Sequence, residues 1–76
     1  MRFKIVFWNP STLKKRVYHF TVTRDHINHA WNIHMVHDVV GFEDDLTIRW
    51  DYVDFIKKWA ECDRRYNEYV SIKEVA

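Results

Sequence analysis

The chain has 76 residues, 47% of them apolar and 17% aromatic, with one glycine, one proline and a formal net charge of +1. That composition excludes disordered and low-complexity classes and predicts one domain over residues 1–76. No stretch approaches the roughly 18 consecutive apolar residues of a membrane span. The start lacks the apolar run of a leader peptide, and Cys62 is the only cysteine, so the expectation is a soluble cytoplasmic protein with no disulfide and no membrane partner.

In chain order, Phe3, Ile5 and Phe7 alternate with Arg2, Lys4, Val6 and Trp8, the two-residue period of a strand. Asn9-Pro10-Ser11-Thr12 is a turn by its chemistry: Pro presets the backbone and the short polar side chains bond their own main chain. A second strand is expected over Lys15 to Thr23, with Tyr18, Phe20 and Val22 on one side and Val17, His19 and Thr21 on the other. Thr23 then reads as a helix N-cap with Asp25 in the first turn, predicting a helix to about Asp38 that leaves at Gly41.

Glu43 to Asp45 reads as an acidic loop, and the alternation of Leu46, Ile48, Trp50 and Tyr52 as a third strand, with a helix starting at Asp45 as the competing reading. From Tyr52 onward, Tyr52, Phe55, Ile56, Trp59, Cys62, Tyr66 and Tyr69 recur at helical spacing. They predict a long second helix whose stripe places Trp59 and Cys62 in the core, and Trp50 is expected there too. The tail from Val70 to Ala76 continues this helix or adds a strand. The predicted fold class is α+β: a small, hairpin-led sheet in the order β-β-α-β-α, with an optional C-terminal strand and the helices on one face.

Charge is segregated along the chain. Up to Arg24 there are six basic residues and no acid; from Asp25 to Ile56 there are seven acids against Arg49 alone. This describes either a solvated surface or a contact surface with two signs.

Candidate chemistry is sparse. His26, His29, His34 and His37 form two H-x-x-H pairs, but on a helix the outer two would lie about 16 Å apart. A zinc site also needs further ligands, and neither H-E-x-x-H nor paired-cysteine spacing supplies them. A surface that responds to pH is another reading of the same histidines. Cys62 shows no adjacent base, and there is no Gly-rich phosphate loop and no G-x-S-x-G elbow. The expectation is no catalysis, no metal and no cofactor.

Four tryptophans, five phenylalanines and four tyrosines exceed what so small a core encloses. Trp8 shares the outer hairpin face with Val6, Val17 and His19, with Arg2, Lys4 and Lys15 around it. An apolar centre with a basic rim is the composition of a contact surface. The predicted function is therefore a small protein-binding regulator, inhibitor or adaptor that docks on a larger protein through this face or through Glu43, Asp44 and Asp45. A homo-oligomer would use the surplus aromatics equally well. Nucleic acid is the rival partner, with the basic residues tracking phosphates and the aromatics stacking on bases.

Overall fold

The computed structural model describes residues 1–37 and 42–75. The elements are β1 (Arg2–Asn9), β2 (Lys14–Asp25), β3 (Ala30–His37), β4 (Phe42–Ile48), α1 (Tyr52–Asp63) and β5 (Tyr69–Val75). The strands form one five-stranded sheet in the order β4-β3-β2-β1-β5, antiparallel at every pairing. The expected β-β-α-β-α order is overturned: the described residues are mostly strand, with one short helix. The C-terminal strand exists and pairs with β1. No helix among the described residues is long and apolar enough to cross a membrane.

The helix expected from Thr23 is instead the end of β2, a four-residue turn and β3. Asp25 does cap, but it caps a turn: its carboxylate accepts the backbone N–H of Ile27 and Asn28, and His29 takes a left-handed conformation with φ 53°. An Asp oxygen reaching the amides two and three residues on serves a helix start and an Asx turn alike. Beyond this turn the chain has period two, with Trp31, Ile33 and Met35 on the side of the sheet that carries the core. Gly41, expected as the helix exit, lies outside the described residues.

The hairpin strands fall as their alternation requires. Phe3, Ile5, Phe7, Tyr18, Phe20 and Val22 are buried together with Ile33 and Met35, and Ile56 and Ala60 of α1 close over them. The largest fully buried side chains are Phe7, Phe20, Ile5, Ile33 and Ile56, each contributing about 1.5–3 kcal/mol relative to exposure. Trp59 wedges into the centre, its ring edge-on to Tyr18 at 4.7 Å, to Phe20 at 5.1 Å and to Phe7 at 6.1 Å. Nearer the N-terminus of α1, Tyr52 lies between Trp31 at 4.6 Å and Phe3 at 5.9 Å.

α1 begins where Asp51 accepts the N–H of Val53 at 2.8 Å, and it stops earlier than its aromatic stripe suggested. Arg64 leaves in an extended conformation, Asn67 is left-handed at φ 65°, and the buried Glu68 carboxylate accepts the Arg65 N–H, turning the chain back toward the sheet. Tyr66 and Tyr69 therefore lie beyond the helix and are exposed, as are Trp50 and Cys62, all assigned to the apolar stripe or core by spacing. Glu43 to Asp45 is not a loop but part of β4, which occupies 42–48 rather than starting at Leu46. Three consecutive acids on an edge strand keep other strands from adding to it.

Candidate functional site: the open sheet face

Because α1 covers one side of the sheet, the alternate residues of every strand form a second side that no described helix covers. The β1–β2 register places Val6 opposite Val17, Lys4 opposite His19, Trp8 opposite Lys15 and Arg2 opposite Thr21. Trp8, Val6, Val17, His19, Arg2, Lys4 and Lys15, grouped by alternation alone, thus share one surface. The neighbouring strands extend it. β5 sets Tyr69 beside Trp8, Ser71 beside Val6 and Lys73 beside Lys4, while β3 sets Val36 beside His19 and His34 beside Thr21.

The acidic trio divides. Glu43 pairs with Val36 and Asp45 with His34 on the open face, whereas Asp44 pairs with Met35 on the side that carries α1. Across the open face the sign of charge therefore runs from negative on β4 to positive on β1 and β5, with valines, threonines and histidines between. His34 Nδ1 lies 2.5 Å from Asp45 Oδ1. That hydrogen bond raises the His34 pKa above its ordinary value; desolvation works against the rise, and the charges of Asp45 and Glu43 add to it. Asp45 is the more exposed of the two, at 80% against 41% for His34.

The other histidines scatter. His26 and His29 sit in the β2–β3 turn. His37 points to the opposite side from His34, its ring stacked 4.3 Å from Tyr18. His34 and His37 thus lie on opposite sides of β3 while His26 and His29 share one turn, and among the described residues no group of three or more His, Cys, Asp or Glu could hold a metal ion.

Spacing gave no warning of the charged cluster under the C-terminal end of α1. Arg16 has the same parity as Tyr18 and Phe20, so its side chain enters the covered side. There Nη1 donates to Asp63 at 2.8 Å and Nη2 to Glu68 at 2.8 Å, and the guanidinium lies 4.3 Å over the Phe7 ring. Desolvation disfavours the Arg16 charge, but the bonds to Glu68 and Asp63 more than offset it and hold the guanidinium protonated. The same bond from Arg16 draws the Glu68 pKa down against its own burial. The usable signal was an arginine at an inward position of an otherwise apolar alternation, which demands a buried carboxylate.

This cluster consumes the polar groups that a nearby cleft would need. A cavity of about 340 Å³ between the β1–β2 turn and the α1–β5 connection is lined by Pro10, Ser11, Arg64, Asn67, Glu68 and Tyr69. Its carboxylate is already engaged by Arg16 and by the Arg65 amide. The open face, by contrast, sets apolar and charged side chains side by side across all five strands. No family model, no curated protein and no solved structure matches the chain.

Proposed function

We propose that the chain is a non-enzymatic protein-binding module that docks on a larger protein through the open sheet face. The observation that carries this reading is the register: Trp8, Val6 and Val17 adjoin one another, with Arg2, Lys4, Lys15 and Lys73 around them. Partly exposed aromatics supply contact energy once water is expelled, and the surrounding cations orient the approach of a partner. A rigid sheet presents these groups without ordering a loop, which lowers the entropic cost of association.

The test is retention of partners from lysate by the tagged chain, with and without nuclease, compared with Trp8→Ala. A stoichiometric protein should survive nuclease and bind the variant roughly 30-fold more weakly, about 2 kcal/mol for a central aromatic. The variant should lose less than about 1 kcal/mol of stability, the scale of one cross-strand pair. Equal retention by the variant would remove the proposed surface, and a cooperative loss of fold would make Trp8 a structural residue.

One arrangement favours nucleic acid as a second reading. Tyr69 and Lys73 of β5 join Trp8 and Lys4, setting two aromatics beside cations on one surface, as single-stranded nucleic acid requires. Glu43 and Asp45 on the same face oppose it. Under that reading the retained material is nucleic acid, and its binding falls steeply as salt rises.

A further inference from the structure

We propose that the outer edge of β5 pairs with the same edge of a second copy, antiparallel and centred on Ile72, joining two five-stranded sheets into one. This goes beyond the docking reading, since it uses the rim of the sheet and leaves the open face free. β5 closes one side of the order β4-β3-β2-β1-β5, and no described strand lies outside it. At the opposite rim, Glu43, Asp44 and Asp45 of β4 would meet like charge in any second copy.

Parity fixes which backbone groups β5 offers. Met1 and Val22 exchange both of their backbone hydrogen bonds, so the odd residues of β1 bond to β2 and the even ones turn to β5. The β5 partners of those even residues are Val75, Lys73, Ser71 and Tyr69. The N–H and C=O groups of Val70, Ile72 and Glu74 therefore point outward, where no described strand receives them.

One register satisfies all three. Centred on Ile72, it sets Ile72 opposite its own counterpart and Val70 opposite Glu74, twice by symmetry, for about six backbone hydrogen bonds. Lys73 then faces Ser71. A register centred on Lys73 or Glu74 sets like charges directly opposite, which destabilises a pair. One centred on Val70 or Ser71 carries Glu74 past the end of the partner strand.

The side chains agree with that register. Val70 and Ile72 project to the side of α1, where with Ala60 they floor a groove of about 220 Å³ rimmed by Lys57, Glu61 and Arg64. Along α1, Tyr52 lies by Phe3, whose β5 partner is Glu74, and Asp63 lies by Arg16, which pairs with Phe7 beside Val70. Arg64 thus stands at the Val70 end of the groove. Pairing brings Glu74 of the second copy to that end, opposite in sign to Arg64, and sets Ile72 against Ile72 where the two apolar floors meet. The chain is in this way complementary to itself.

Seven paired residues make a strip about 24 Å long, which buries less than the roughly 1,200 Å² at which standard interfaces begin. The dimer is therefore weak and concentration-dependent. Its two-fold axis stands normal to the sheet, so both open faces lie on the same side, and a target with two docking surfaces is held by both.

The test is sedimentation equilibrium and NMR amide exchange of the intact chain at about 50 µM and 1 mM, a range suited to a weak pair. The unaltered chain should move from monomer toward dimer, and the amides of Val70, Ile72 and Glu74 should exchange about fivefold more slowly at the higher concentration, while those of Ser71 and Lys73, already bonded to β1, change little. Ile72→Lys and Ile72→Glu, at a position 36% exposed, each set like charges on the axis and should associate about tenfold more weakly, and their equimolar mixture should recover. Thermal melts of both variants establish that the fold is intact; if either fails to fold, the alternate-amide pattern of the unaltered chain still decides. A chain monomeric to about 1 mM, a dimer without slowed exchange at Val70, Ile72 and Glu74, or a mixture of folded variants no better associated than its components would overturn the proposal.

Discussion

Arg16 joins three parts of the molecule through one side chain. Its nitrogens reach Asp63 at the end of α1 and Glu68 before β5 while its own backbone belongs to β2, and its side chain is only 14% exposed. Replacing it with Met keeps the apolar stem over Phe7 but leaves Glu68, at 6% exposure, with a buried charge and without its hydrogen-bonded cation. The expected cost is about 3 kcal/mol, a large share of the stability of a domain this size. Urea unfolding should show that loss for Arg16→Met and a partial recovery when Glu68→Gln is added, because the second change removes the stranded charge. A loss below about 1 kcal/mol for the single variant would mean that the cluster is solvated.

His34 gives a second prediction at this scale. Its folded pKa is raised by the bond to Asp45, so the stabilisation is fully present below the unfolded value near 6.5 and is lost as pH rises through the higher folded value. The melting temperature should decline from about pH 6 to pH 8.5 more steeply for the native chain than for Asp45→Asn. Parallel curves would remove the coupling. None of these partners was legible from spacing: strand register sets His34 opposite Asp45, and the packing of α1 and its connection to β5 against the sheet brings Asp63 and Glu68 to Arg16. Trp59 was legible, since a tryptophan on a helical apolar stripe has little choice but to face the core.

The two β-hairpins at the start of the chain share one design. In the first, the Asn9 side chain accepts the N–H of Ser11 and Thr12, Leu13 is left-handed at φ 56° and β2 begins at Lys14. In the second, Asp25 accepts from Ile27 and Asn28, His29 is left-handed and β3 begins at Ala30. Leu13 is 73% exposed, so little packing compensates for a conformation that costs a non-glycine residue roughly 1–2 kcal/mol. Leu13→Gly should therefore stabilise by about 0.5 kcal/mol, the relief being partly offset by the looser unfolded chain. A lower urea midpoint would contradict this. The first hairpin was legible because Pro10 marks its turn. The second was hidden because neither Gly nor Pro marks it and because Asp25 mimics a helix cap. The helix α1 was legible at its start, where Asp51 and the stripe agree, and illegible at its end, where Glu68 folds back to Arg16.

For the molecule as a whole, alternation located the two sides of the β1–β2 hairpin, from which the grouping of Trp8, Val6, Val17, His19, Arg2, Lys4 and Lys15 came, but not those of β3, read as a helix, or of β4, read in part as a loop. The strand order was not legible from it either. Nothing local in Tyr69 to Val75 announces that this strand returns to β1 rather than extending α1, yet that return places Lys73 beside Lys4 and concentrates the positive side of the face. Likewise β4 was hidden by its composition, since acids are poor strand formers and only pairing with β3 holds Glu43 to Asp45 extended.

The unequal edges of the sheet govern how chains can meet by strand addition. Repeated end-to-end growth into a fibre needs two competent edges on each molecule, one to accept and one to be accepted. β4 presents Glu43, Asp44 and Asp45 in succession, and a strand brought against it meets that charge with every added copy. β5 is the remaining edge, where Val70 and Ile72 flank a single serine and only Lys73 and Glu74 interrupt the apolar character. A molecule with one usable edge can add one neighbour, β5 against β5, and both edges of the enlarged sheet are then acidic. Association by that route ends at two chains, so the acid run on β4 acts as a built-in terminator of polymerisation.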